Sequence, residues 1–86
     1  MAMKMATKES KTVYDLSIVS GSLSYTIRKA DVVLELIDKK IVTIEILEKL
    51  PQFTVPITIY SNNLDGKGIV CNSIRDKEDS TLFIVK

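Results

Sequence analysis

Apolar and polar residues alternate along much of this chain with a period of two, the repeat of a strand with one buried face. The clearest stretch is Thr12 to Arg28. A two-residue turn at Ser20-Gly21, where glycine accepts a positive φ, sets Ile18 against Leu23, Leu16 against Tyr25 and Tyr14 against Ile27. The other face then pairs Val19 with Ser22, Ser17 with Ser24, Asp15 with Thr26 and Val13 with Arg28. One face is apolar and the other mostly polar, as a hairpin with one buried side requires.

The most apolar stretch, Asp31 to Pro51, decides the fold class. With Asp38-Lys39-Lys40 as a loop, Leu36 faces Val42, Leu34 faces Ile44 and Val32 faces Ile46. Ile37 with Ile41, Glu35 with Thr43 and Val33 with Glu45 share the opposite face, a segregation that favours a second hairpin. The loop itself lacks the Gly or Asn that a left-handed position prefers. A helix competes over the same residues. Ala30, Val33, Leu34, Ile37 and Ile41 fall at helical spacing, Asp31 suits an N-cap, Lys39 and Lys40 suit a C-terminus, and Glu35–Lys39 is a favourable pair. Residues 41–46 are β-branched at five of six positions and read as a strand in both cases.

Leu47 to Gln52 reads as a turn or short helical stub ended by Pro51. Phe53 to Tyr60 alternates, with Phe53, Val55, Ile57 and Ile59 inward, and Pro56 placing that strand at an edge or a bulge. Ser61 to Gly68 is a turn with Asp65-Gly66 at its tip. Ile69 to Ile74 is a strand whose register the pattern does not fix, and residues 75–80 form a charged loop. Thr81 to Lys86 is apolar on both faces, which suits a strand inside a sheet. These are about seven strands at roughly ten-residue spacing. The predicted fold is a single all-β antiparallel sandwich or small barrel over residues 12–86, with α+β, a helix near 30–40, as the alternative.

Composition sharpens this picture in a few places. Eighty-six residues make one domain. Residues 1–11, with Lys4, Lys8 and Lys11 against Glu9, read as a flexible basic leader. Met1, Met3 and Met5 are soft thioethers of the kind that bind Cu(I), but an unordered terminus is expected of them. Ala2 stands where N-myristoylation requires glycine. A net charge of +1 provides no global attraction for nucleic acid or anionic membrane. Glu35, Asp38, Glu45 and Glu48 interrupt every apolar run long enough to suggest a membrane span. The single cysteine, Cys71, has no internal disulfide partner, and a reducing, cytoplasmic setting is expected. Abundant Ile and Lys with few Ala is common in AT-rich genomes, including those of phages and mobile elements.

Candidate chemistry is sparse. The chain has no histidine, which removes the usual triads and the commonest general base. Cys71 reads as a buried thiol, and no zinc site can be built on it alone. Glu35 and Glu45 share an outer face, more in keeping with a solvated surface than with acid–base work. No enzyme activity, cofactor or metal is therefore expected. The expected function is a small protein-binding module, a self-associating accessory or inhibitor protein. Its partner is another protein or a second copy, and its interface is the surplus apolar set Val33, Ile37 and Ile41. The alternative is a small barrel that binds single-stranded nucleic acid through Arg28, Lys29, Lys39, Lys40, Tyr60 and Lys67.

Overall fold

Strands β1 (Ala6–Ser20) and β2 (Leu23–Ile37) form one long antiparallel hairpin, and the rest of the chain is arranged on it. The structure is a computed structural model that describes residues 6–64 and 66–85. Met1, Met3, Met5 and Lys4 of the expected leader, and Asp65 of the expected turn tip, lie outside the described residues. The remaining strands are β3 (Lys40–Ile46), β4 (Ile57–Tyr60), β5 (Ile69–Asp76) and β6 (Thr81–Val85). All neighbours are antiparallel, and the order β1-β2-β3-β6-β5-β4 closes into a barrel.

The expected seven strands become six because two of them are continuous. Nothing in Lys29-Ala30-Asp31 breaks an extended chain, and cross-strand pairs Tyr14–Lys29, Val13–Ala30 and Thr12–Asp31 hold the segment in the ladder. The helical alternative for residues 31–38 is overturned, since Asp31 to Ile37 belongs to β2. Strand β1 starts at Ala6, so residues 6–11, expected in a leader, pair instead with Val32 to Ile37. Downstream, the predicted strand from Phe53 shortens to Ile57–Tyr60 behind a cis Val55–Pro56 bond.

Three local irregularities decide which residues face inward. In β1, Asp15 has a φ of 58°, and the ladder skips Asp15 and Arg28. Above this point Val13 is buried; below it Leu16 and Ile18 are, so the buried parity reverses. Tyr14, expected on the core face, is therefore turned outward and is 53% exposed. In β3 a bulge at Val42 shifts the register, so that Leu36 pairs with Ile41 and Ile37 with Lys40. The pairs Val32–Ile46, Val33–Glu45, Leu34–Ile44 and Glu35–Thr43 stand as the alternation predicts. The connection is a two-residue Asp38-Lys39 turn, both residues at positive φ, instead of a three-residue loop. In β5 a second bulge between Cys71 and Ser73 moves the inward positions from Ile69 and Cys71 to Ile74.

The β1–β2 turn is also displaced by one pair from expectation. Gly21 and Ser22 occupy it, with Gly21 at a φ of 60°, so Ile18 faces Tyr25 and Leu16 faces Ile27. Glycine at the first central position is the signature of a type II′ hairpin turn, whose twist matches the strands. Between Asp15 and the turn the faces are preserved because the shift is a whole pair.

Inside the barrel, Leu16, Ile18, Val32, Leu34, Ile44, Ile46, Ile57, Ile59 and Phe83 are essentially inaccessible. Strand β6 lies between β3 and β5, as its two apolar faces suggest, and inserts Phe83 opposite Ile44 and Ile74. At the lower end, by the β1–β2 turn, Leu50 is buried and its N–H donates to Thr81 Oγ1 at 3.2 Å. The Ser20 hydroxyl donates to the Thr54 carbonyl and ties the segment after Leu50 to the hairpin.

Asp15 can be tested directly. A non-glycine residue in the left-handed region costs about 1–2 kcal/mol, with Asp and Asn at the low end and β-branched residues at the high end. Asp15→Val is expected to lose at least 1 kcal/mol in urea unfolding, and Asp15→Gly to match or exceed wild type. Equal stability of the Val and Gly variants would show that β1 does not turn there.

Candidate functional site

Unequal strand lengths leave two parts of the barrel incomplete. Strand β2 pairs with β3 from Val32 upward, and β1 pairs with β4 over Ser17–Val19 only. Among the described residues, no strand therefore lies beside the lower half of β2, Leu23–Ala30, or beside the upper half of β1, Ala6–Leu16, on the sides that face away from the hairpin.

The lower half of β2 carries apolar residues on its core-facing side. Leu23, Tyr25 and Ile27 oppose buried Ser20, Ile18 and Leu16, yet Leu23 is 60% exposed and Tyr25 36%. The Phe53 ring packs edge-on against Tyr25, at 6.2 Å and 71°. Hydrogen bonding to β3's end stops at Asp31, whose carbonyl accepts from Leu47 N–H at 3.0 Å. The result is an extended backbone edge flanked by exposed apolar side chains.

At the upper end, β1 diverges from the start of β5 and leaves a mouth cavity of about 480 Å³. Leu34, Leu36, Ile41, Leu64, Ile69 and Val85 line it, with Lys39 of the β2–β3 turn and Lys40 at the start of β3 among its other walls. Barrel mouths of this size are common positions for small-ligand sites.

The expected interface trio is not brought together. Val33 and Ile37 are half-buried on the outer face, where Val33 sits between Ser10 and Glu45 and Ile37 between Ala6 and Lys40. The Val42 bulge turns Ile41 to the opposite side, where it packs against the core and lines the mouth cavity. The outer face is further divided by polar contacts. Thr43 Oγ1 donates to Glu35 at 3.3 Å, and Glu45 accepts from Ser80 Oγ at 2.6 Å and from Lys77 Nζ at 3.4 Å.

The six basic and aromatic candidates are also distributed. Lys39 and Lys40 stand at the mouth, and Lys67 precedes the cavity residue Gly68. Arg28 lies nine residues before Ile37 in β2, on the order of 30 Å down the strand. Lys29 Nζ stands over the Tyr14 ring at 5.9 Å from its centroid, a cross-strand cation–π contact. Tyr60 folds over Gly68, where a Cβ would come within 2.8 Å of its ring. The two most basic regions thus lie apart on the molecule, and Tyr14 and Tyr60 are each engaged by a neighbour.

Candidate reactive groups are quiet. Cys71 is fully buried, and desolvation pushes its thiol up to about 11. Among the described residues no cluster of three acidic or sulfur ligands is placed to hold a metal. Comparison of the chain with protein-family models, curated proteins and solved structures finds no match.

Two measurements follow from these environments. With a thiol value of about 11, roughly one Cys71 in a thousand is ionised at pH 8. A thiol-reactive disulfide reagent should label the native protein slowly and the urea-unfolded protein at the rate of a free thiol; rapid native labelling would place Cys71 at the surface. Glu45 is held below the ordinary value of 4.5, first by the Ser80 hydroxyl and then by Lys77 and the more distant Lys8. Its lowered folded value means that its stabilisation is complete above about 4.5 and fades as pH falls through the folded value. Glu45→Gln is expected to cost on the order of 1 kcal/mol at pH 7, with the gap to wild type closing in acid. A gap independent of pH would show that the ion is not favoured by the fold.

Proposed function

We propose that this protein is a non-enzymatic protein-binding module that captures an extended strand, including that of a second copy, on the free edge of β2. The observation that carries this reading is the outer backbone edge of Leu23–Ala30, beside which no strand lies among the described residues, flanked by exposed Leu23 and Tyr25. A strand added there gains main-chain hydrogen bonds for affinity, and its alternate side chains meet Leu23, Tyr25 and Ile27 for specificity. Two copies can do this to one another about a two-fold axis, since an antiparallel edge is complementary to itself. The lack of histidine and the high thiol value of Cys71 support a binding role over a catalytic one.

The two free edges differ in how they are guarded. Lys8 and Lys11 punctuate Ala6–Thr12, and such charges oppose strand addition. The segment Leu23–Ile27 carries no charge, with Arg28 and Lys29 confined to its upper limit. Strand addition is therefore assigned to β2. The outer residues Val33 and Ile37 add apolar surface but lie among Glu45, Lys40 and Lys8–Glu35 pairs, so they are assigned no leading role.

The test is the oligomeric state over a wide concentration range, by sedimentation equilibrium, for wild type, Leu23→Lys and Tyr25→Lys. Wild type is expected to associate. Each variant should remain folded, because both sites are exposed, and should dissociate at least tenfold more readily as its charge is desolvated in the pair. A strictly monomeric wild type that also captures no extended peptide would overturn the reading.

A further inference from the structure

We propose that the upper mouth cavity binds a single-chain amphiphile with an anionic head, of the fatty-carboxylate class. The site is at the end of the barrel opposite the β1–β2 turn and stands independently of strand addition at β2. Its floor is aliphatic: Leu34, Leu36, Ile41, Leu64, Ile69 and Val85. Among the described residues no aromatic side chain lines it, so none of them stacks on a planar base or ring there. Among the described residues, no buried side-chain polar atom is left without a partner, so the floor has no unmet hydrogen bond to offer a polar ligand. What enters must therefore be apolar and flexible at its inner end.

The rim has the opposite character. Among the described residues, Lys11, Lys39 and Lys40 line it against one acid, Glu9. Glu9 and Lys11 project from one face of β1 toward Leu34 and Val32, their cross-strand partners, so their aliphatic stems extend the apolar wall. Lys39 belongs to the tight Asp38-Lys39 turn, whose positive φ values fix where its backbone enters the mouth, and Lys40 follows it as the first residue of β3. Asp38 is in the same turn but does not line the cavity. An anionic head at the rim thus meets an excess of ammonium groups, and the chain behind it meets branched hydrocarbon. The volume of about 480 Å³ lies within the range of small-ligand pockets.

The experiment is a methyl-detected NMR titration with sodium dodecanoate below its micellar concentration, beside dodecyltrimethylammonium and dodecanol. Dodecanoate is expected to shift the methyl signals of Leu34, Leu36, Ile41, Leu64 and Val85 saturably, and more tightly than the other two. Each methylene removed should weaken binding about fourfold, making decanoate about sixteenfold weaker. The double variant Lys39→Glu/Lys40→Glu, at exposed positions, should weaken dodecanoate by about tenfold and favour the cationic amphiphile. Lys11→Gln provides a milder second variant with a smaller loss in the same direction. The proposal is overturned by absence of saturable shifts, by equal binding of the three amphiphiles, or by shifts centred on Leu23 and Tyr25. Binding to anionic vesicles without binding of monomeric dodecanoate would equally overturn it, in favour of a membrane surface.

Discussion

The constraint on which the rest depends is that one hairpin must serve two different neighbours. Its upper half joins the barrel through β2, which pairs with β3, and its lower half through β1, which pairs with β4. A straight, regular hairpin presents one set of side chains to one side throughout its length. Here Asp15 breaks the alternation in β1, so that Val13 above and Leu16 and Ile18 below all enter the same core. Without that break the lower half would turn Leu16 and Ile18 outward and leave Ile57 and Ile59 of β4 without their partners. Asp tolerates the left-handed region better than most residues, and nothing bulkier would sit there as cheaply.

Sequence alternation carries most of this fold because a half-buried strand writes its buried face into every second residue. Below Asp15 the first hairpin keeps its predicted faces even though its turn moves by one pair, since a shift of a whole pair changes partners without changing sides. The central hairpin keeps four of its predicted pairs because its register shifts only at Val42. The points that sequence does not reveal are single-residue events. Asp15, the Val42 bulge and the irregularity between Cys71 and Ser73 each invert the pattern, and none is marked by glycine or proline. A signal existed in two places. Val13 and Leu16 are three apart, a spacing no regular strand can bury on one face, and Cys71 and Ile74 repeat it. The competition between helix and strand over 31–38 has another source, since β2 carries apolar residues on both faces there, Val32, Leu34 and Leu36 inward and Val33 and Ile37 outward, and a helical spacing can be drawn through them.

The candidate surfaces were less legible. Predicting Val33, Ile37 and Ile41 as one patch assumes that their common parity means a common face, and the bulge at Val42 removes Ile41 from it. The exposed positions Leu23 and Tyr25 carry the opposite lesson. Their alternation marks them as core, and they do project toward the core side, but no strand reaches far enough down to cover them. Periodicity reports which way a side chain points. Whether something stands opposite depends on the lengths of strands that lie elsewhere in the chain. The mouth cavity is a further step removed, since it combines β1, β2, β3, β5, β6 and the β4–β5 connection, which only closure brings together.

The same mismatch in strand length produces both surfaces, and it gives them different chemistry. Where β1 outruns β4 at the upper end, the opening lies between strands that still surround it, so the result is a concavity with aliphatic walls and a lysine rim. Where β2 outruns β3 at the lower end, the segment around Phe53 covers only part of the overhang, so the result is an edge with backbone groups facing solvent. A concavity walled by aliphatic side chains, with no buried side-chain polar atom among the described residues left wanting a hydrogen bond, suits a ligand that needs none, such as a hydrocarbon chain. An edge with such bonds available suits another polypeptide, because only a second backbone matches its spacing over several residues. Assigning a small amphiphile to the mouth and a strand to the overhang therefore follows from which kind of unfilled interaction each end leaves, and not from the similar apolar residues found at both.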